Sequence, residues 1–130
     1  MRDQPDATVA DWLDLQPAES IWITSITLFE ARLGLALLPK GRKRQALEGA
    51  FQRLLEEDLG GRVLDFDSTA AVEAAHLAAQ RQKTGRSIDI RDTQIAGIAL
   101  ARRAALATRN IKHFQDLDVQ VINPWAGAAE

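Results

Sequence analysis

The stretch Ser87–Asn110, SIDIRDTQIAGIALARRAALATRN, constrains the fold of this chain more than any other. It sets an acidic residue, Asp92, in the first turn of a strongly apolar helix. It then passes through a short apolar strand into a polar turn that begins at Thr108. A carboxylate that opens a helix otherwise built of Ile, Ala and Leu is either a helix cap or part of a site.

The rest of the chain alternates in the same way. Residues 6–15 read as a short helix with Val9, Trp12 and Leu13 on one face. Residues 21–25 (IWITS) are a β-branched and aromatic run, a strand candidate. A helix over 27–38 ends at Pro39 and Gly41, and a second over 42–58 closes at Gly60-Gly61. Residues 62–66 (RVLDF) form a strand. Asp67 or Ser68 then caps a long alanine-rich helix to Thr84, which Gly85 terminates. The spacing predicts a helix over 89–103, a strand over 105–108, a single turn around Lys112 capped by Asn110, and a last strand over 119–122. Strands alternating with helices imply parallel pairing and a layered α/β domain.

The chain has 130 residues, of which 46% are hydrophobic, which suits one soluble globular domain. There is no cysteine, which excludes a disulfide framework and thiolate metal sites and fits a reducing cytoplasm. No secretory signal is evident at the N-terminus, and the apolar runs are too short and charge-interrupted to cross a membrane. A net charge of −2 argues against coating nucleic acid by bulk charge, while leaving room for a local basic groove beside an acidic site.

In an open parallel sheet, ligands bind outside the carboxyl ends of the strands. Glu30 follows the first strand by about one turn of helix. Asn110 and His113 follow the 105–108 strand, and Asp92 opens the helix leading into it. These groups are expected to converge on one edge of the sheet. Each also has a plainer reading. Thr27-Leu-Phe-Glu30 fits a capping box, which spacing alone favours over a site. Asp89-Ile-Arg-Asp92 reads as a cap plus a carboxylate favoured by the helix dipole. Asp67 reads as a plain N-cap, His113 as a loop histidine packing its ring, and His76 is assigned no role. Arg42-Lys43-Arg44 and Arg81-Gln-Lys83 read as solvated faces.

Five blocks in order, SITLFEARLGLALLPKG, VLDFD, GRSIDIRDTQIAGIA, LATRNIKHFQDL and VINPW, resemble the PIN-domain ribonucleases. They are nearest the VapC-type toxins of bacterial toxin–antitoxin modules, including the FitB-like branch. The resemblance implies one PIN domain over residues 1–130, a three-layer α/β fold whose mostly parallel sheet has helices on both faces. It further implies an endoribonuclease that cleaves RNA with Mg²⁺ or Mn²⁺, a cognate VapB-type antitoxin as partner, and a homodimer. Its acidic metal positions match Glu30 and Asp92. Its polar turn matches Thr108, Asn110 and His113, with His113 standing where relatives carry an aspartate. Asp89 and Asp116 are spare acids expected nearby, acting through water.

The family opens with an apolar strand ending D-T-N, whose aspartate is the first metal ligand, whereas Met1-Arg2 resembles the end of the helix that follows it. The resemblance therefore implies that this strand is missing from the chain as given, through a start assigned too far downstream or through a shortened, inactive relative. Mg²⁺ keeps several waters and is held by one or two carboxylates plus substrate phosphate. Clustered bare carboxylates repel, so a strained site receptive to cations is expected. A non-cutting PIN-like module that binds RNA or protein is the alternative function. Another phosphate-handling α/β enzyme finds no support, because no Gly-rich phosphate loop is present.

Overall fold

The computed structural model describes residues 11, 15–17, 20–108 and 111–123. The helix expected over residues 6–15 lies almost wholly outside these, as does Asn110. Among the described residues, four short strands alternate with helices. They are β1 (Ile23–Thr24), α1 (Ser25–Ala36), α2 (Arg42–Arg53), β2 (Val63–Leu64), α3 (Ser68–Lys83), α4 (Ile90–Arg102), β3 (Leu106–Ala107) and β4 (Val121–Ile122). A wider π-type turn, Leu54–Asp58, continues α2, and a 3₁₀ turn, Ile111–Phe114, lies between β3 and β4.

Both strand pairings are parallel, as the alternation implies. Ile23 stands opposite Val63 and Thr24 opposite Leu64, while Leu106 stands opposite Val121 and Ala107 opposite Ile122. Among the described residues these are two separate two-stranded sheets. Each strand has two ladder residues where four or five were expected, and side groups extend the pairing. Arg62 Nε donates to the Ile21 carbonyl at 2.9 Å, and the Phe66 N–H donates to Ser25 Oγ at 3.1 Å.

The core is built around α3 and α4. On α3, Ala70, Ala74, Leu77 and Arg81 recur at helical spacing and are buried. On α4, Thr93, Ala96, Gly97, Ile98 and Ala99 are buried. Small residues let the two backbones approach closely: a Cβ on Gly97 would stand 2.6 Å from the Ala70 carbonyl oxygen and 2.7 Å from Ala74 Cβ. Leu77, Ala96 and Phe114 form one buried cluster, against which Leu100, Leu106, Leu117 and Val121 pack. This cluster fastens β3, β4 and the 3₁₀ turn to the helix pair. Burying each large side chain here contributes about 1.5–3 kcal/mol.

The helix ends follow from short-range chemistry. Asp67 caps α3 by accepting from the Ala70 N–H at 2.9 Å, and its other oxygen meets Arg102 at 2.7 Å. Gly85, at φ +77°, ends α3 with the Arg86 N–H donating to the Arg81 carbonyl and its own N–H to Gln82. Asp89 caps α4 by accepting from the Asp92 N–H at 2.9 Å. Among the described residues no helix is long and apolar enough to cross a membrane.

Candidate functional site

Glu30 is not a capping residue. The cap of α1 is Thr24, whose Oγ1 accepts from the Thr27 N–H at 3.0 Å and lies 2.9 Å from the Thr27 hydroxyl. The helix therefore starts two residues earlier than the spacing suggested. Glu30 becomes its sixth residue, beyond the four N–H groups a cap can serve. This overturns the capping-box reading. The Glu30 carboxylate instead pairs with Arg91 Nη1 at 3.4 Å, and the same guanidinium lies 5.4 Å from the centre of the Phe29 ring.

Asp92 behaves differently from its backbone. Its N–H is taken by the Asp89 cap, but its carboxylate does not turn back on the helix. Asp92 Oδ2 stands 2.7 Å from Nδ1 of His113, in the 3₁₀ turn after β3. The Asp92 side chain is 21% exposed and that of His113 55%. His113 is thus held by a carboxylate rather than by ring packing, its contact with the neighbouring Phe114 ring being a loose, tilted one at 6.4 Å. The structure joins Asp92 to His113 directly. Arg91, the residue before Asp92, reaches Glu30 on the neighbouring helix.

Arg81 corrects the sequence reading most sharply. Expected on a solvated face, it is 4% exposed. Its guanidinium donates to both Asp116 oxygens, at 2.9 and 2.8 Å, and to the His113 carbonyl at 2.6 Å. Arg86 adds a second ion pair to Asp116 at 2.8 Å. The hydrogen bond from Arg81 holds the Asp116 carboxyl below the usual carboxylate range, and Asp116 in turn raises the Arg81 guanidinium. Asp116 is therefore committed to two arginines, while Asp89 uses one oxygen for the cap and lines the same cleft as Asp92. A signal was present: Arg81 continues the Ala70, Ala74, Leu77 stripe by one more turn.

Arg81, Arg86, Ser87, Asp89, Asp92, Lys112 and His113 line a cleft of about 320 Å³. Its lining mixes cations and acids: Arg81 and Arg86 are paired with Asp116, and Lys112 shares the cleft with Asp89 and Asp92. Among the described residues, no three His, Asp or Glu side chains gather as a ready-made metal cage. Glu30 pairs with Arg91, and Asp92 shares a hydrogen bond with His113.

Parallel strands with helical crossovers, and polar side chains gathered at α4's first turn and the turn after β3, define an α/β domain with a strand-end site. Residues 1–120 match the PIN domain family, and the chain belongs to it. It is similar to the plasmid stability protein StbB of Pseudomonas syringae pv. tomato, with 37% identity over 124 residues, 95% of this chain and 89% of the relative. It is also similar to the VapC ribonuclease Y4jK of Sinorhizobium fredii, with 36% identity over 125 residues, 96% of this chain and 89% of the relative. A solved structure of FitAB bound to an IR36 DNA fragment contains a chain of the same fold. Its TM-score is 0.86 at 35% identity, covering 95% of this chain and 87% of that one.

Proposed function

We propose that the protein is a metal-dependent endoribonuclease, the toxin of a type II toxin–antitoxin pair, with residues 1–130 forming one PIN domain. The observation that carries the reading is the contact of Asp92 with His113 at 2.7 Å in a cleft lined also by Arg86 and Lys112, with Glu30 on the adjoining helix α1. The name of the relative Y4jK, a VapC ribonuclease, supports the same chemistry.

Two carboxylates are the donors that a hard divalent cation takes, and neither is sealed in the core. Glu30 and Asp92 would hold Mg²⁺ or Mn²⁺, and the family resemblance gives Asn110 and His113 as further site residues. A divalent ion held there would activate water and offset charge developing on the phosphate oxygens. The chain's own groups do the rest. His113 orients Asp92 through Nδ1. Lys112 offers the cleft's cation to the RNA backbone, whose binding to such groups weakens with salt. Arg91 keeps Glu30 neutralised in the absence of a cation.

For partners, we infer a VapB-type antitoxin and a homodimer. Phe29 (55% exposed), Leu37 (75%) and Leu54 (40%) leave apolar surface on α1 and the α2 segment for such contacts. An inhibitor's arginine suits the site, since Glu30 already accepts a guanidinium from Arg91. Co-expression with the neighbouring gene and light scattering of the product should give a hetero-oligomer containing two copies of this chain.

The competing reading is a PIN-like module that binds RNA without cutting it, favoured by the lack of a three-donor cluster among the described residues. Incubating RNA with the full-length protein in Mg²⁺, with and without chelator, separates them. Chelator-sensitive cutting supports the enzyme, and retained binding without cutting supports the module.

A further inference from the structure

We propose that Arg81 and Asp116 are positioning residues for the site, setting the 111–116 turn so that the His113 imidazole meets Asp92. The inference rests on reading Asp92 and His113 as site residues.

The backbone around His113 is held on two sides. Its own carbonyl accepts from Arg81 Nη2 at 2.6 Å, and the next residue, Phe114, is 2% exposed in the cluster with Leu77 and Ala96. The imidazole itself is more than half exposed and, among the described residues, bonds Asp92. With the backbone fixed, side-chain torsions alone separate the ring from the Asp92 carboxylate. With the backbone free, the ring would lose that placement. Asp116 completes the device by aiming the guanidinium: the two parallel contacts at 2.9 and 2.8 Å fix its plane, leaving an Nη2 hydrogen for the His113 carbonyl.

A purely structural ion pair would not need to bond the carbonyl of the site residue itself. A lysine at 81 keeps the charge and loses the planar fork, so Arg81→Lys is the informative change. Asp116→Asn is a second, since it keeps the shape and removes the charge that aims the fork.

The test reads the imidazole directly. The chain contains two histidines, and His76 lies exposed on α3 as an internal reference. In a long-range ¹H–¹⁵N spectrum of the full-length protein, the His113 ring signals of folded Arg81→Lys should move toward those of Asp92→Asn, with His76 unmoved. RNA cleavage should fall about ten- to a hundredfold in Arg81→Lys, the scale of a misplaced site group, yet fall by less than about twofold when His113 is already alanine. If Arg81→Lys does not fold, Asp116→Asn is read the same way. His113 signals identical to the parent's in a folded variant, or an equal loss in the His113→Ala background, would overturn the proposal. Signals that move as expected in a protein that never cuts RNA would leave the positioning role standing and remove the endoribonuclease reading.

Discussion

Asp92 in the first turn of α4 and His113 in the turn after β3 meet at 2.7 Å, Oδ2 to Nδ1. This contact crosses 21 positions of sequence, joining the start of a buried helix to the loop beyond the strand it feeds. It makes Asp92 a tertiary residue instead of a cap.

The start of α1 gives a first prediction. Thr24→Ala should lower stability by about 1 kcal/mol, because it removes the side chain that accepts from the Thr27 N–H. Glu30→Gln should cost at most about 1 kcal/mol, the range for an exposed ion pair, while abolishing function. Urea melts of both variants check this. A Glu30→Gln loss well above that of Thr24→Ala would restore the capping-box reading.

Gly97 gives a second. Helix propensity alone favours Gly97→Ala by up to about 1 kcal/mol. Here the added methyl would meet the Ala70 carbonyl and Ala74 Cβ at 2.6 and 2.7 Å, and neither neighbour is the end of a flexible side chain. Overpacking costs typically about 1–3 kcal/mol, so the variant should be less stable on balance. A rise in melting temperature would show that α3 and α4 are not packed this closely.

Much of this was legible beforehand because it is local. The caps at Asp67 and Asp89, the stop at Gly85 and the parallel β–α order follow from residues a few positions apart. The start of α1 was misplaced because Thr24 and Thr27 are both good caps, and spacing cannot choose between them. The role of Arg81 was missed because a charged residue in an Arg-Gln-Lys run looks solvated. Its partners Asp116 and His113 lie more than thirty positions away, and their contact depends on tertiary packing.

The Arg81–Asp116 pair predicts a pH signature. The folded-state pKa of Asp116 is depressed, chiefly by the hydrogen bond from Arg81. Its stabilisation is therefore present above the ordinary carboxylate pKa of about 3.9 and lost as pH falls through the lower folded value. Removing one partner of a buried pair costs about 3–5 kcal/mol, and Asp116 belongs at the low end because its side chain is 25% exposed. Melts of Asp116→Asn beside the parent should show a wide gap at neutral pH that narrows in acid. A gap independent of pH would mean that the ion pair contributes nothing through its charge.

The Glu30–Arg91 pair predicts a change in cation binding. A divalent ion at Glu30 competes with a guanidinium already there, so Arg91→Ala should tighten Mn²⁺ binding in the absence of RNA. The pair is exposed, 48% and 39%, which limits the gain to about two- to fivefold. Calorimetric titration of parent and variant measures it. Unchanged or weaker Mn²⁺ binding would place the ion away from Glu30.

The central claim is that Asp92 belongs to a working phosphodiester-cleaving site. It is tested most directly by RNA cleavage with the full-length protein and with Asp92→Asn, in Mg²⁺ and after chelation. Asn keeps the shape of the side chain and the Asp89 cap on its N–H, so the variant should retain the parent's circular dichroism while cleavage stops, as it should for the parent in chelator. Undiminished cleavage by a folded Asp92→Asn protein would contradict the account.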